Sequence, residues 1–92
     1  MKYHFSAGYN GEKTRQGMLD LMWGLRDVYK EQTIMTGDIN GTSHTLIEVD
    51  GRGVLLCPNG NITILAKDRR EAEKTRTTLG GILRKLNPEA VL

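Results

Sequence analysis

The stretch HTLIEVDGRGVLLCPNGNITILA, residues 44–66, decides the fold. It consists of three segments in which apolar residues alternate, and two turn signals separate them. Asp50-Gly51 is a hairpin dipeptide, and Pro58-Asn59-Gly60 forms the second turn. The predicted strands cover residues 44–50, 54–57 and 61–66. Three strands joined by tight turns indicate an antiparallel meander.

Helical periodicity flanks this meander on both sides. One helix is predicted over Lys13 to Glu31, and a second begins at Asp68, where Glu71 fits a capping box. The second helix ends at Asn87-Pro88, because the residue before proline resists the helical conformation. Gly80-Gly81 inside it marks either close packing or a local weakness. The apolar stripes are Met18, Leu21, Met22, Leu25, Val28 and Tyr29 in the first helix and Ala72, Thr75, Leu79, Ile82, Leu83 and Leu86 in the second.

Two further strands precede the meander. Lys2 to Ala7 alternates, and Gln32 to Thr36 is a short strand followed by a loop over Gly37 to Gly41. The sequence therefore predicts an α+β fold. It is a two-layer sandwich of an antiparallel sheet with two helices on one face, in the order β-α-β-β-β-β-α. All 92 residues are assigned to one domain.

Charge is distributed unevenly along the chain. The net charge is +2, yet residues 67–92 hold seven basic and four acidic side chains, which points weakly to anionic partners. No apolar run approaches the roughly 18 residues that span a bilayer, and the start of the chain lacks a signal-peptide pattern. We therefore expect a cytoplasmic protein that does not enter the membrane.

Residues of catalytic and metal-binding type form no recognisable constellation. The stretch from Gly8 to Thr14 lies where a phosphate loop would lie, but its spacing is wrong and Glu12 would repel an anion. His4, His44 and Cys57 lack metal-ligand spacing, and we expect ordinary surface residues. As the lone cysteine, Cys57 allows no internal disulfide. The sequence predicts a non-enzymatic protein without metal or cofactor.

The second helix has a basic side opposite its apolar stripe. Two interpretations are open. Such a side either contacts phosphates or is exposed to solvent, with its positive charge reduced by Glu71 and Glu73. Its cations are Arg70, Lys74, Arg84 and Lys85.

The sheet face away from the helices is predicted to be unusually apolar, which suggests that a second copy, a protein partner or a nucleic acid covers it. Leu19 and Trp23 fall off the stripe of the first helix, either at the edge of the core or as a protein contact. The open face carries Leu46, Leu55, Cys57, Thr63 and Leu65, surrounded by His4, His44 and Glu48.

Residues 53–67, GVLLCPNGNITILAK, followed by a basic helix ending in ILRKLN at 82–87, resemble a single repeat of the TATA-box-binding protein family. The resemblance extends as topology to nearly the whole chain and to small single-repeat archaeal proteins. It implies DNA binding, and a saddle would require a homodimer. The family wedges paired phenylalanines into the minor groove, but the matching positions are Cys57 and the vicinity of His44, so kinking is not expected.

The leading functional hypothesis is sequence-independent binding of nucleic acid, most simply DNA, by the second helix and the open sheet face. Its candidate residues are Arg70, Lys74, Arg84, Lys85, Lys2 and Thr63. The alternative is a protein-interaction module, either a homodimer or a small inhibitor or adaptor. Its candidate residues are Leu19, Trp23, Leu46, Leu55 and Leu65.

Overall fold

A computed structural model describes residues 1–8, 14–28, 33–39, 42–90 and 92. Within these residues the chain forms five strands and two helices. They are β1 (Lys2–Ser6), α1 (Thr14–Val28), β2 (Thr33–Ile39), β3 (Thr42–Val49), β4 (Arg52–Leu56), β5 (Asn61–Leu65) and α2 (Arg69–Leu86). The strands make one antiparallel sheet in the order β1-β5-β4-β3-β2. The predicted α+β class is confirmed, and the arrangement is compatible with a two-layer sandwich.

The central meander, β3-β4-β5, turns where the sequence predicts. Asp50 and Gly51 have φ values of 53° and 75°, the left-handed pair that a tight hairpin turn requires. At the second turn Gly60, with φ 96°, donates its N–H to the carbonyl of Cys57 at 3.1 Å. These turns set the register in which Ile47 pairs with Val54.

One buried cluster joins the sheet to both helices. Met18 of α1 and Leu79 of α2 lie in the same cluster as Ile62 of β5, so both helices cover the same sheet face. Alternation then leaves the opposite face without helices. The fully buried side chains include Met18, Leu21, Leu25, Ile47, Val54, Leu56, Ile62, Ile64, Thr75, Leu79 and Leu83.

The caps of α2 explain its limits. The carboxylate of Asp68 accepts from the N–H of Glu71 at 2.9 Å, as the capping-box prediction requires of its first member. The side chain of Glu71 instead forms an ion pair with Arg52 of β4. At the other end Asn87 donates its N–H to the carbonyl of Leu83 at 2.8 Å, just before Pro88.

Two sequence-based expectations are wrong. Gly37–Ile39, predicted as a loop, belong to β2, because pairing with Thr42–His44 of β3 outweighs the weak strand preference of Gly and Asp. Leu86, predicted to be buried, is 41% exposed, because it is the last residue of α2 and only part of its side chain lies against α1, near Gly24. Residues 9–13, 29–32, 40, 41 and 91 lie outside the described residues, and with them most of the predicted turn before the first helix and the predicted end of that helix.

The two glycines of α2 differ in their surroundings, since Gly80 is buried and Gly81 is partly exposed. A Cβ atom at Gly80 would lie 3.3 Å from Nη1 of Arg84, one turn along the same helix. A Cβ atom at Gly81 would meet nothing within 4 Å beyond its own helix backbone. Gly81 therefore marks a local weakness of α2, whereas the buried Gly80 leaves little room for a side chain. Neither helix in the described part of the chain is long and apolar enough to cross a bilayer.

Candidate functional site

The outward side of α2 carries four exposed cations, called here the basic face: Arg70, Lys74, Arg84 and Lys85. At 100° per residue these positions lie opposite Leu79 and its buried neighbours, so packing of the stripe forces them into solvent. Among the described residues none of the four forms an ion pair. The basic face thus presents uncompensated positive charge.

The acidic residues of α2 are engaged elsewhere. Glu73 lies 3.7 Å from Arg69 and 3.3 Å from Arg76, and Glu71 pairs with Arg52. Arg76 in turn lies over the ring of Phe5, 5.0 Å from its centroid. These contacts satisfy both carboxylates with cations outside the basic face. The negative charges of Glu71 and Glu73, which the sequence analysis expected to reduce the positive charge of the basic side, therefore pair with Arg52, Arg69 and Arg76.

A pocket of about 150 Å³ adjoins the basic face between α2 and Leu92. Arg76 and Arg84 line it, but so does the acidic Glu73. That carboxylate opposes entry of a small anion, so the pocket adds little to the basic face as a binding site.

Two rows of paired residues cross β3, β4, β5 and β1 on the open face, which is the sheet face opposite the helices. In one row Glu48 pairs with Gly53, Leu65 lies against Gly53, and Leu65 pairs with Lys2. The second row runs Leu46, Leu55, Thr63 and His4 across the strands.

Exposure on the open face is substantial for an apolar surface. Leu65 is 45% exposed, and Leu46 and Leu55 are partly exposed. The imidazole Nδ1 of His4 and Oγ1 of Thr63 are hydrogen-bonded at 3.1 Å. The predicted apolar character of this face is thus present in the three leucines.

The structure does not bring the six predicted nucleic-acid contacts together. Lys2 and Thr63 lie on the open face, whereas the basic face of α2 lies on the far side of the helix layer. One duplex segment cannot touch both surfaces at once. The predicted set therefore divides into a four-residue basic face and two residues on the opposite side of the molecule.

The predicted protein contacts also divide. Leu46, Leu55 and Leu65 share the open face, while Leu19 and Trp23 lie on α1 in the helix layer. Trp23 is 61% exposed, and the guanidinium of Arg26 lies 4.4 Å from its ring centroid. The indole is therefore partly covered by its own helix.

Arg52 is a structural residue that the sequence analysis missed. Its Nη1 donates to Oγ1 of the fully buried Thr75 at 3.0 Å, and its guanidinium pairs with Glu71. Thr78 adds a hydrogen bond to Asp50 at 2.9 Å, so the β3-β4 hairpin is tied to α2 by three contacts. Strand alternation could have identified Arg52, since position 52 points to the same side of β4 as Val54 and Leu56.

The residues of metal-ligand type do not assemble a site. In the described ranges no group of three His, Cys, Asp or Glu side chains is placed to hold an ion. Burial raises the pKa of the Cys57 thiol, because desolvation disfavours the thiolate. Cys57 is therefore a poor nucleophile in the folded chain.

Comparison of the chain with protein-family models, with curated proteins and with solved structures finds no match. The resemblance to the TATA-box-binding repeat stays a prediction from residues 53–87.

Proposed function

We propose that the protein is a non-enzymatic domain that binds nucleic acid, most simply duplex DNA, through the basic face of α2. The observation that carries this proposal is the set of four exposed cations without acidic partners among the described residues. Phosphates are the anions that such a dispersed set of long basic side chains contacts best.

The spacing of the cations suits a polyanion better than a single small ligand. Lys74 and Arg84 are ten residues apart, which corresponds to about 15 Å along a helix. Thr77 and Gly81 lie between them and are small, so the charged groups protrude farther from the helix than the residues in the middle of the basic face do. Two separated cation pairs are thus able to contact phosphates at two places along a backbone.

Sequence-independent binding follows from the residue types. Lysine and arginine contacts to phosphate fix position but carry no base information. The middle of the basic face offers Thr77 and Gly81, and neither reaches far toward a base edge. We therefore expect similar affinities for duplexes of different sequence.

The open face is a weaker candidate for this role. Among the described strand side chains its formal charges are one Lys2 and one Glu48, and its centre is apolar. Binding through such a surface would release few counterions from the nucleic acid, and counterion release is the main source of sequence-independent affinity. Lys2 and Thr63 are for this reason not part of the proposed site.

The test is fluorescence anisotropy with labelled duplexes over a range of salt concentrations. Four phosphate contacts predict a slope of log affinity against log salt of about −3.6, or roughly 100-fold weaker binding between 50 and 200 mM salt. The double variant Arg70→Glu/Lys74→Glu should reduce the slope by about 2. Arg15→Glu/Arg26→Glu, with the same change of charge on α1, is the matched control.

Two results would contradict the proposal. One is binding that does not respond to salt. The other is an equal loss in the control variant, which would mean that net charge and not the basic face governs affinity.

A protein-interaction module is the second candidate function. The observation that favours it is the exposed apolar surface, both at Trp23, which is 61% exposed, and on the open face. Association that is lost in Trp23→Asp or Leu55→Asp, with unchanged urea unfolding, would support it. A protein that stays monomeric would argue against its homodimer form.

A further inference from the structure

The open face carries a charge pattern that complements itself. Across one row the residues are Glu48, Gly53, Leu65 and Lys2, so an acidic end and a basic end flank an apolar middle. Four neighbouring strands place those two ends about 14 Å apart, which is too far for an ion pair within one chain.

We propose that the open face binds a second copy of this chain, face to face, with Glu48 of each copy paired with Lys2 of the other. The two-fold axis lies in the interface, parallel to the strands and between β4 and β5.

The charges of Glu48 and Lys2 favour this axis over an axis perpendicular to the strands. A two-fold rotation parallel to the strands reverses the order across the sheet, so Glu48 meets Lys2 of the second copy twice in each dimer. An axis perpendicular to the strands would keep the order and place like charges opposite one another. That arrangement would be repulsive at both ends of the row.

The apolar centre fits the same axis. The side chain of Leu65 leans toward Gly53, where a built Cβ atom would lie 3.2 Å from its Cδ1. Leu65 is therefore directed toward the middle of the row, and the two copies bring their Leu65 side chains together at the axis. Leu65 is 45% exposed in the single chain. Its burial in the dimer supplies apolar contact in the uncharged middle of the row.

The second row tolerates burial. Leu46 and Leu55 of one copy would lie over His4 and Thr63 of the second copy. Nδ1 of His4 and Oγ1 of Thr63, one polar atom of each side chain, are already bonded to each other at 3.1 Å. Covering them with leucine therefore leaves one hydrogen bond intact and costs less than covering unpaired groups.

The size of the face predicts a weak dimer. Five strands of about five residues cover roughly 400 Å² per copy, about half of what a standard interface buries on each side. We therefore expect dissociation constants of roughly 10–100 μM. The basic faces of α2 stay on the outside, so this association does not depend on nucleic acid.

The experiment is sedimentation equilibrium of the whole chain up to about 1 mM without nucleic acid, a range that covers weak dimers. Glu48→Lys and Lys2→Glu should each weaken association about tenfold, because each puts like charges at two contacts. The double variant Glu48→Lys/Lys2→Glu should restore it. Asp27→Lys and Arg15→Glu, exposed positions on α1, are the matched controls for change of charge.

Leu65→Asp provides an independent check, with a loss of more than about 100-fold expected because two carboxylates would meet at the axis. Urea unfolding of each variant shows that the fold is retained. A wild-type chain that is monomeric throughout the range overturns the proposal. So does a double variant that associates no better than the single ones.

Discussion

The two outer surfaces of the molecule differ in the kind of side chain they offer. The basic face of α2 consists of long cations, each without an acidic partner in the described residues. The open face is apolar in the middle, with Lys2 and Glu48 at its two ends. Four of the seven cations in residues 67–92 thus lie on one side of α2 without acidic partners among the described residues, and the two proposed contacts do not compete for one surface.

A geometric consequence links the two proposals. A dimer formed through the open faces would carry its two basic faces on opposite outer sides. Such a dimer would hold two nucleic-acid segments apart from each other, whereas a TATA-binding saddle uses a single shared concave surface. A dimer through the open faces would therefore differ from the saddle that the resemblance predicts.

The largest expected effect concerns the two faces of the sheet itself. Leu56→Ala should lower the free energy of unfolding by about 2–5 kcal/mol, because Leu56 is fully buried beneath the helices. Leu65→Ala should lower it by about 1 kcal/mol or less, since that side chain is 45% exposed. Urea unfolding below the concentration of self-association measures both.

Equal losses for the two leucines would mean that the open face is part of the core. In that case its apolar residues would need no partner to explain them, and the comparison on which the dimer rests would fail.

A smaller effect separates structural from binding cations around α2. Arg52→Ala should cost about 1–3 kcal/mol of stability, because it leaves the buried Oγ1 of Thr75 and the partly buried Glu71 without their donor. Lys74→Ala should change stability by less than about 0.5 kcal/mol, as exposed positions usually do.

The two substitutions should change nucleic-acid binding in the reverse order. Lys74→Ala is expected to reduce the salt slope by about 1, and Arg52→Ala to leave it unchanged. Unfolding and anisotropy measured on the same samples check both parts. A salt slope that falls equally in both variants would place the contact outside the basic face.

The sequence predicted most of the fold because local signals and tertiary packing agree there. Asp50-Gly51 matches the φ values its turn needs, and Asp68 caps α2 with its own side chain. β2 was predicted too short because Gly37 and Asp38, near its end, have weak strand propensity. Their pairing with β3 is a non-local interaction that no window of sequence contains.

The candidate residues were found by alternation, but their grouping was not. Period-two and period-3.6 patterns predict which side of a strand or helix a residue takes. They do not tell which side of one element lies near which side of another. Lys2 and Arg70 were therefore assigned to one contact, although the helix layer separates them, and Arg52 was overlooked because its partners lie on α2.

The smallest effect concerns the middle of the basic face. Gly81→Ala should raise the free energy of unfolding by about 0.5–1 kcal/mol, because alanine favours the helix and its methyl group meets nothing within 4 Å beyond the helix backbone. Gly24→Ala in α1 is the control, and its gain should be smaller, because the new methyl group would lie 3.2 Å from Leu86. Thermal unfolding measures both variants.

Gly81→Ala should also leave nucleic-acid affinity unchanged, since the proposed contacts come from the flanking cations. Weaker binding with a more stable helix would mean instead that the backbone of α2 approaches the nucleic acid at Gly81, so that the neutral middle of the basic face takes part in the contact.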